Sequence, residues 1–134
     1  MKPKKSNSNV KVPILGLIRA GEPIEPVEES EPYQVPKEML SESGDHFALK
    51  VEGQSMVEEG IQDGDIVILR DQPDIENGQT AAVYIPRKNE ATLKKVYKEK
   101  DKWKLQPANP NMDPFYEKNI EVRGKVINII RNFA

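Results

Sequence analysis

Hydrophobic and polar residues alternate with period two over Phe47-Ala48-Leu49-Lys50-Val51, and the run ends at Gly53, which predicts a strand. Ile66-Val67-Ile68-Leu69 is apolar without a break and predicts a central strand. Asn77-Gly78 is the strongest short turn signal in the chain, and residues 80–85 follow it as a strand. Arg87-Lys88-Asn89-Glu90 turns the chain into a strand over 91–97, and Lys100-Asp101-Lys102 turns it again into 103–106. Residues 107–114, with three prolines and two asparagines, read as an irregular loop. Residues 122–130 read as the last strand, with a bulge at Gly124. Residues 55–61 have room for one or two helical turns before the turn Asp63-Gly64-Asp65. Short strands at such regular spacing predict a mainly β fold, an antiparallel sandwich or a partly open barrel.

The start of the chain has a different pattern. Residues 1–11 are polar and basic and read as a flexible tail or linker remnant. Lys2, Lys4 and Lys5 have no aromatic or structured neighbour that would make them a nucleic-acid arm. Val12, Ile14, Leu15, Leu17 and Ile18 come next, interrupted by Pro13, Gly16, Gly21 and Pro23. That segment is too broken for a helix and too apolar for an ordinary surface loop, so an extended course with built-in bends is expected. Residues 25–30 are acidic and solvated. The resulting division is a tail over 1–11, an extended segment with its acidic connection over 12–30, and a core over 31–134.

Composition narrows the chemistry. A chain of 134 residues suits one domain with one core. The net charge of -2 gives no general attraction to nucleic acid or anionic membrane. With no cysteine, disulfides, thiolate catalysis and zinc–thiolate sites are excluded. The single His46 cannot build a histidine-rich metal site, and no cofactor or metal is expected. No apolar run approaches the roughly 18 to 20 residues of a membrane helix, and no signal peptide opens the chain. A cytoplasmic location is the matching expectation.

Two side chains remain as candidates for catalysis. Ser55 comes just after the strand ending at Gly53, where a turn into a helix leaves its hydroxyl exposed beside free backbone N–H groups. A turn residue or helix cap is the plainer use of such a serine. Alternation puts Thr92, Lys94 and Val96 on one strand face and Leu93, Lys95 and Tyr97 on the other. One of the paired lysines therefore points to the drier side, unless both simply guard an edge strand against aggregation.

Taken in order, Ala20-Gly21, Gly53-Gln54-Ser55-Met56, Asp63-Gly64-Asp65, Asn77-Gly78-Gln79 and Thr92-Leu93-Lys94-Lys95 resemble the C-terminal domain of LexA-type repressors, the S24 peptidase family. Gly124-Lys125-Val126-Ile127 through Ile130-Arg131-Asn132 is similar to that family's final strand. The resemblance runs from about Val12 to Asn132. It implies a LexA/signal-peptidase-like β fold with one short helical turn after the nucleophile. It further implies Ser55 as nucleophile, Lys94 as general base, the backbone N–H groups of Ser55 and Met56 as oxyanion donors, and Ala20-Gly21 as the bond the chain cuts in itself.

That chemistry suits these residue types. A serine hydroxyl needs a base to take its proton. Lysine serves only when neutral, so its ammonium must be desolvated and its pKa lowered from about 10.4. The apolar residues of 12–18 would dock the segment and dry the lysine, and Gly21 would let backbone approach the serine closely. The resemblance also implies a homodimer through the C-terminal strand and activation by a RecA-type filament on single-stranded DNA. DNA binding would belong to a helix-turn-helix domain for which eleven preceding residues leave no room; a cut-down chain and a stand-alone protein both fit. A self-processed polymerase-accessory protein and an inactive dimerisation module are the competing readings. Signal peptidases share the Ser-Lys chemistry, but no membrane segment accompanies it here.

Overall fold

The computed structural model describes residues 9–19, 22–28, 30–40, 43–53, 61–107 and 112–131. Strands are numbered in chain order. They are β1 (Asn9–Val12), β2 (Ile14–Ile18), β3 (Glu25–Pro26), β4 (Tyr33–Pro36), β5 (His46–Val51), β6 (Ile66–Asp71), β7 (Gln79–Ile85), β8 (Glu90–Lys98), β9 (Trp103–Gln106), β10 (Phe115–Glu117) and β11 (Glu121–Ile130). A single 3-10 turn, Lys37–Met39, comes after β4 among the described residues. The expected helical turn after Ser55 lies outside them.

Most strands join one sheet in the order β10-β9-β8-β7-β11-β6-β5-β2-β3, curled into an open half-barrel. The remaining two, β1 and β4, pair with each other. The sheet is antiparallel apart from one contact, where β2 runs parallel to β5 with Ile18 opposite Val51. The mainly β, partly open barrel expected from the strand spacing is therefore the observed architecture. β1 begins at Asn9, inside the stretch expected to be a tail, because its backbone pairs with β4 from Asn9↔Pro36 to Val12↔Tyr33.

Burial explains why the central run carries no alternation. Ile66 and Ile68 of β6 pack with Val12, Val35 and Ala48, beneath the β1–β4 ribbon. Val67 and Leu69 point the other way and pack with Ile18, Leu49, Val51, Ile61, Ala82 and Leu93. A strand covered on both faces needs apolar residues at every position. A further cluster, Ala81, Val83, Ile85, Val96 and Leu105, holds the β7–β8–β9 meander together.

The turns behave as their residue types require. The hairpin between β7 and β8 spans residues 86–89, with Asn89 at φ 53°, a backbone region that asparagine tolerates better than most residues. Asn77-Gly78 forms a turn with Gly78 at φ 89° and a Gln79 N–H bond to Glu76 O of 3.1 Å, as in a type II turn. It does not join paired strands, since both β6 and β7 flank β11. β11 shifts register against β7 between Val122 and Gly124, the bulge expected at that glycine. A Cβ on Gly124 would lie 2.8 Å from the Phe47 ring and 2.9 Å from Arg70 O, so only glycine fits there.

Candidate functional site

Lys94 lies in β8, which is hydrogen-bonded to β7 along its length and to β9 only from Lys95 onward. The outer edge of β8 is thus free of β9 at Lys94. Successive carbonyls along a strand face alternate edges, so Ala91 and Leu93 direct theirs to the same side. That side lies uncovered by β9. The Lys94 Nζ donates to Thr92 Oγ1 at 2.6 Å and to Leu93 O at 3.3 Å, which brings the amine to this uncovered edge. No carboxylate pairs with it among the described residues. Burial holds its pKa below the ordinary lysine value, and the nearby positive charge of Lys88 lowers it further.

The described residues that flank positions 20 and 21 approach the same edge. The incoming limb is β2, whose last residue Ile18 is 2% exposed and whose carbonyl accepts from Glu52 N–H at 2.9 Å. The outgoing limb donates from Ile24 N–H to Ala91 O at 2.7 Å. Glu22 N–H also bonds to Arg19 O at 3.2 Å. Arg19 pairs with Glu25 and, at 3.0 Å, with Glu52. A Cβ on Gly16 would fall 2.8 Å from an Ile24 methyl and 3.1 Å from Glu25 O, so the two limbs pack against each other backbone to backbone. The segment is thus hydrogen-bonded to residue 52 on one side and to the β8 strand of Lys94 on the other.

Ser55, Met56, Ala20 and Gly21 lie outside the described residues. The backbone as far as Gly53 is held by hydrogen bonds. Gly53, at φ 79°, donates its N–H to Asp63 Oδ1 at 2.9 Å. Gly64 N–H bonds to Val51 O, and Val51 N–H bonds to Asp65 O, both at 2.9 Å. Asp65 has no exposed surface. Its carboxylate accepts from Gln62 N–H at 2.8 Å and from Arg131 through Nε at 2.8 Å and Nη2 at 2.9 Å. The Arg131 guanidinium holds the Asp65 carboxyl below its usual range.

Asp63, Asp65 and Arg131 appeared in the sequence only as landmarks, with no role attached. The roles of Arg19, Glu52 and Ile24 were not foreseen. A buried aspartate within a turn is a signal for an arginine partner, but sequence alone does not say which arginine. His46 sits at the opposite end of β5 from Gly53, and its Nε2 is buried with no hydrogen-bond partner. No group of residues suited to a metal ion occurs among the described residues, and no described helix is long and apolar enough to cross a membrane.

The family model described as Peptidase S24-like matches residues 13–127. The chain is 44% identical over 126 residues to a LexA repressor of Syntrophobacter fumaroxidans, covering 92% of this chain and 60% of that protein. It is 45% identical over 132 residues to a LexA repressor of Herpetosiphon aurantiacus, covering 92% and 62%. A LexA repressor of a Geobacillus species is 43% identical over 123 residues, covering 91% and 59%. The chain therefore spans about three fifths of the length of these relatives.

Proposed function

Because the chain belongs to the Peptidase S24-like family, we propose that it is the self-cleaving switch of a LexA-like repressor, cutting its own Ala20-Gly21 bond with Ser55 and Lys94. The neutral Lys94 amine takes the proton of the Ser55 hydroxyl as its oxygen attacks the Ala20 carbonyl carbon. The oxyanion is met by the backbone N–H groups of Ser55 and Met56. The Lys94 ammonium then gives its proton to the departing Gly21 amine, and water, deprotonated by Lys94, releases Ala20 from the serine ester.

The observation that carries this reading is the position of the segment. Its limbs are hydrogen-bonded to Glu52, three residues before Ser55, and to Ala91, three residues before Lys94. The depressed pKa of Lys94 has the direction that a lysine base requires. Cleavage in a LexA-like parent would separate a DNA-binding part from its dimerising part and relieve repression in a DNA-damage response. A homodimer through β11, activation by a RecA-type filament and a cytoplasmic setting belong to the same proposal.

Intact mass of the purified chain, tracked alone at increasing pH, tests it. The expected products are residues 1–20 and a remainder beginning at Gly21. The rate should rise with pH as Lys94 loses its proton. Ser55→Ala and Lys94→Ala should each slow cleavage by more than ~10³-fold, the scale of losing a residue that acts in the chemical step. A folded chain that stays whole near pH 10 would favour an inactive dimerisation module instead. Fragments that persist in Ser55→Ala would mean a contaminating protease.

A further inference from the structure

We propose that Asp63, Asp65 and Arg131 form a positioning device for the nucleophile, in which the Asp63-Gly64-Asp65 turn holds Gly53 in place and Arg131 anchors that turn to the end of β11. The inference rests on the proteolytic reading above. Gly53 stands two residues before Ser55 at a positive φ, the kind of backbone position that fixes where the chain heads next. No Cβ clash requires a glycine there, since a side-chain carbon would meet nothing within 4 Å. The conformation itself is the reason, and the 2.9 Å bond from Gly53 N–H to Asp63 Oδ1 holds it.

The turn that carries Asp63 is itself fixed from below. Gly64 N–H and Asp65 O both bond to Val51, the last residue of β5. The fully buried Asp65 carboxylate is gripped by both Nε and Nη2 of Arg131, a bidentate geometry that fixes direction as well as distance. Arg131 directly succeeds β11, sixty-six positions along the chain from Asp65. The end of the last strand is thereby connected, through one ion pair and one turn, to the backbone entering Ser55. Reactions that depend on near-attack geometry are sensitive to such supports, with a misplacement of about 1 Å costing on the order of a hundredfold. None of the three residues needs to touch the reacting atoms for this role.

The test measures self-cleavage of the full chain across pH for the wild type, Asp63→Ala, Asp63→Asn, Arg131→Ala and Arg131→Lys, with thermal melting to confirm folding. Asp63→Ala should lower the high-pH plateau rate ~10- to 100-fold while leaving the pH midpoint of Lys94 in place. Asp63→Asn should restore the plateau to within about threefold, because its amide oxygen accepts the same Gly53 N–H bond. Arg131→Ala should lower the plateau while the chain remains folded at the assay temperature, and Arg131→Lys should recover only part, since an ammonium cannot make the bidentate pair. Equal rates in wild type and Asp63→Ala, equal losses in Asp63→Ala and Asp63→Asn, or a pH midpoint displaced along with the plateau would each overturn the positioning role. A wild-type chain that never cleaves would remove the proteolytic reading. Hydrogen exchange at the Gly53 amide then decides the clamp by itself. Protection lost in Asp63→Ala and kept in Asp63→Asn supports it; equal exchange in all three overturns it.

Discussion

The β2–β3 segment and the β7–β8–β9–β10 meander are built to opposite specifications within one sheet. The meander is a run of hairpins with continuous ladders, from Gln79↔Val96 to Ile85↔Glu90 and on through Lys98↔Trp103. The turns that join β7 to β8 and β8 to β9 each close over four residues, so those contacts cost little chain entropy to form. The segment pairs with β5 across a long intervening stretch, its outer neighbour β3 is two residues long, and a few contacts to Glu52 and one hydrogen bond to Ala91 add to its hold. One region is a platform and the other is a part seated upon it. The proposed self-cleavage would need that difference: Lys94 would have to sit on something rigid, while the segment that dries it would have to be able to leave.

Truncations in the two regions should separate these roles. Leu105→Ala, in the fully buried meander cluster, should lower global stability by ~3 kcal/mol, within the range for buried leucines, as read by urea unfolding. Below the melting range it should leave the cleavage rate nearly intact. Ile18→Ala, at the buried end of β2, should do the reverse. Its loss of ~2 kcal/mol of docking becomes a drop of about 30-fold in self-cleavage, with a smaller change in global unfolding. Equal effects of the two variants on both readouts would erase the distinction between platform and seated part.

Gly124→Ala probes the platform at its tightest point. The added methyl meets the Phe47 ring and the Arg70 carbonyl, and overpacking of this kind costs about 1–3 kcal/mol. Thermal melting should show the loss, and Phe47→Leu in the same chain should recover part of it by vacating the space.

The acid limb gives the smallest effect. Glu117, buried beneath Arg87, bonds to it at 3.0 and 2.7 Å, and that guanidinium holds its carboxyl below the usual range. Asp65 is depressed in the same direction by Arg131. A depressed carboxylate contributes stability above its unfolded pKa of about 4 and loses it as pH falls through the folded value. Melting temperature should therefore decline on acidification below pH ~4, and Glu117→Gln should flatten part of that decline. Lys94 works with the same sign in the alkaline range. Its lowered pKa means that stability increases as pH rises from the folded value toward the ordinary one near 10.5.

Local rules made the platform legible in the sequence. Asn89 in its turn, the continuous apolar β6 and the bulge at Gly124 each result from the conformation or burial of a few neighbouring residues. The candidate lysine was also legible as a choice between two adjacent residues, of which Lys94 is the one whose ammonium is desolvated. Pairings across sequence distance could not be read. Alternation says that Asp65 is near a buried turn, but not that Arg131 reaches it; it says that β2 is extended, but not that it runs parallel to β5. Those facts depend on how the sheet curls, a property of the whole set of strands rather than of any window of sequence.

The parallel course of β2 beside β5 would also govern the aftermath of the proposed cut. The proposed scission after residue 20 would sever the covalent link but not the pairing of β2 between β5 and β3, nor that of β1 with β4. The severed fragment would then be a bound peptide, and its release a dissociation with its own lifetime. The duration of the switched state would be set by how quickly a strand peels away, a quantity that chemistry at the serine does not control.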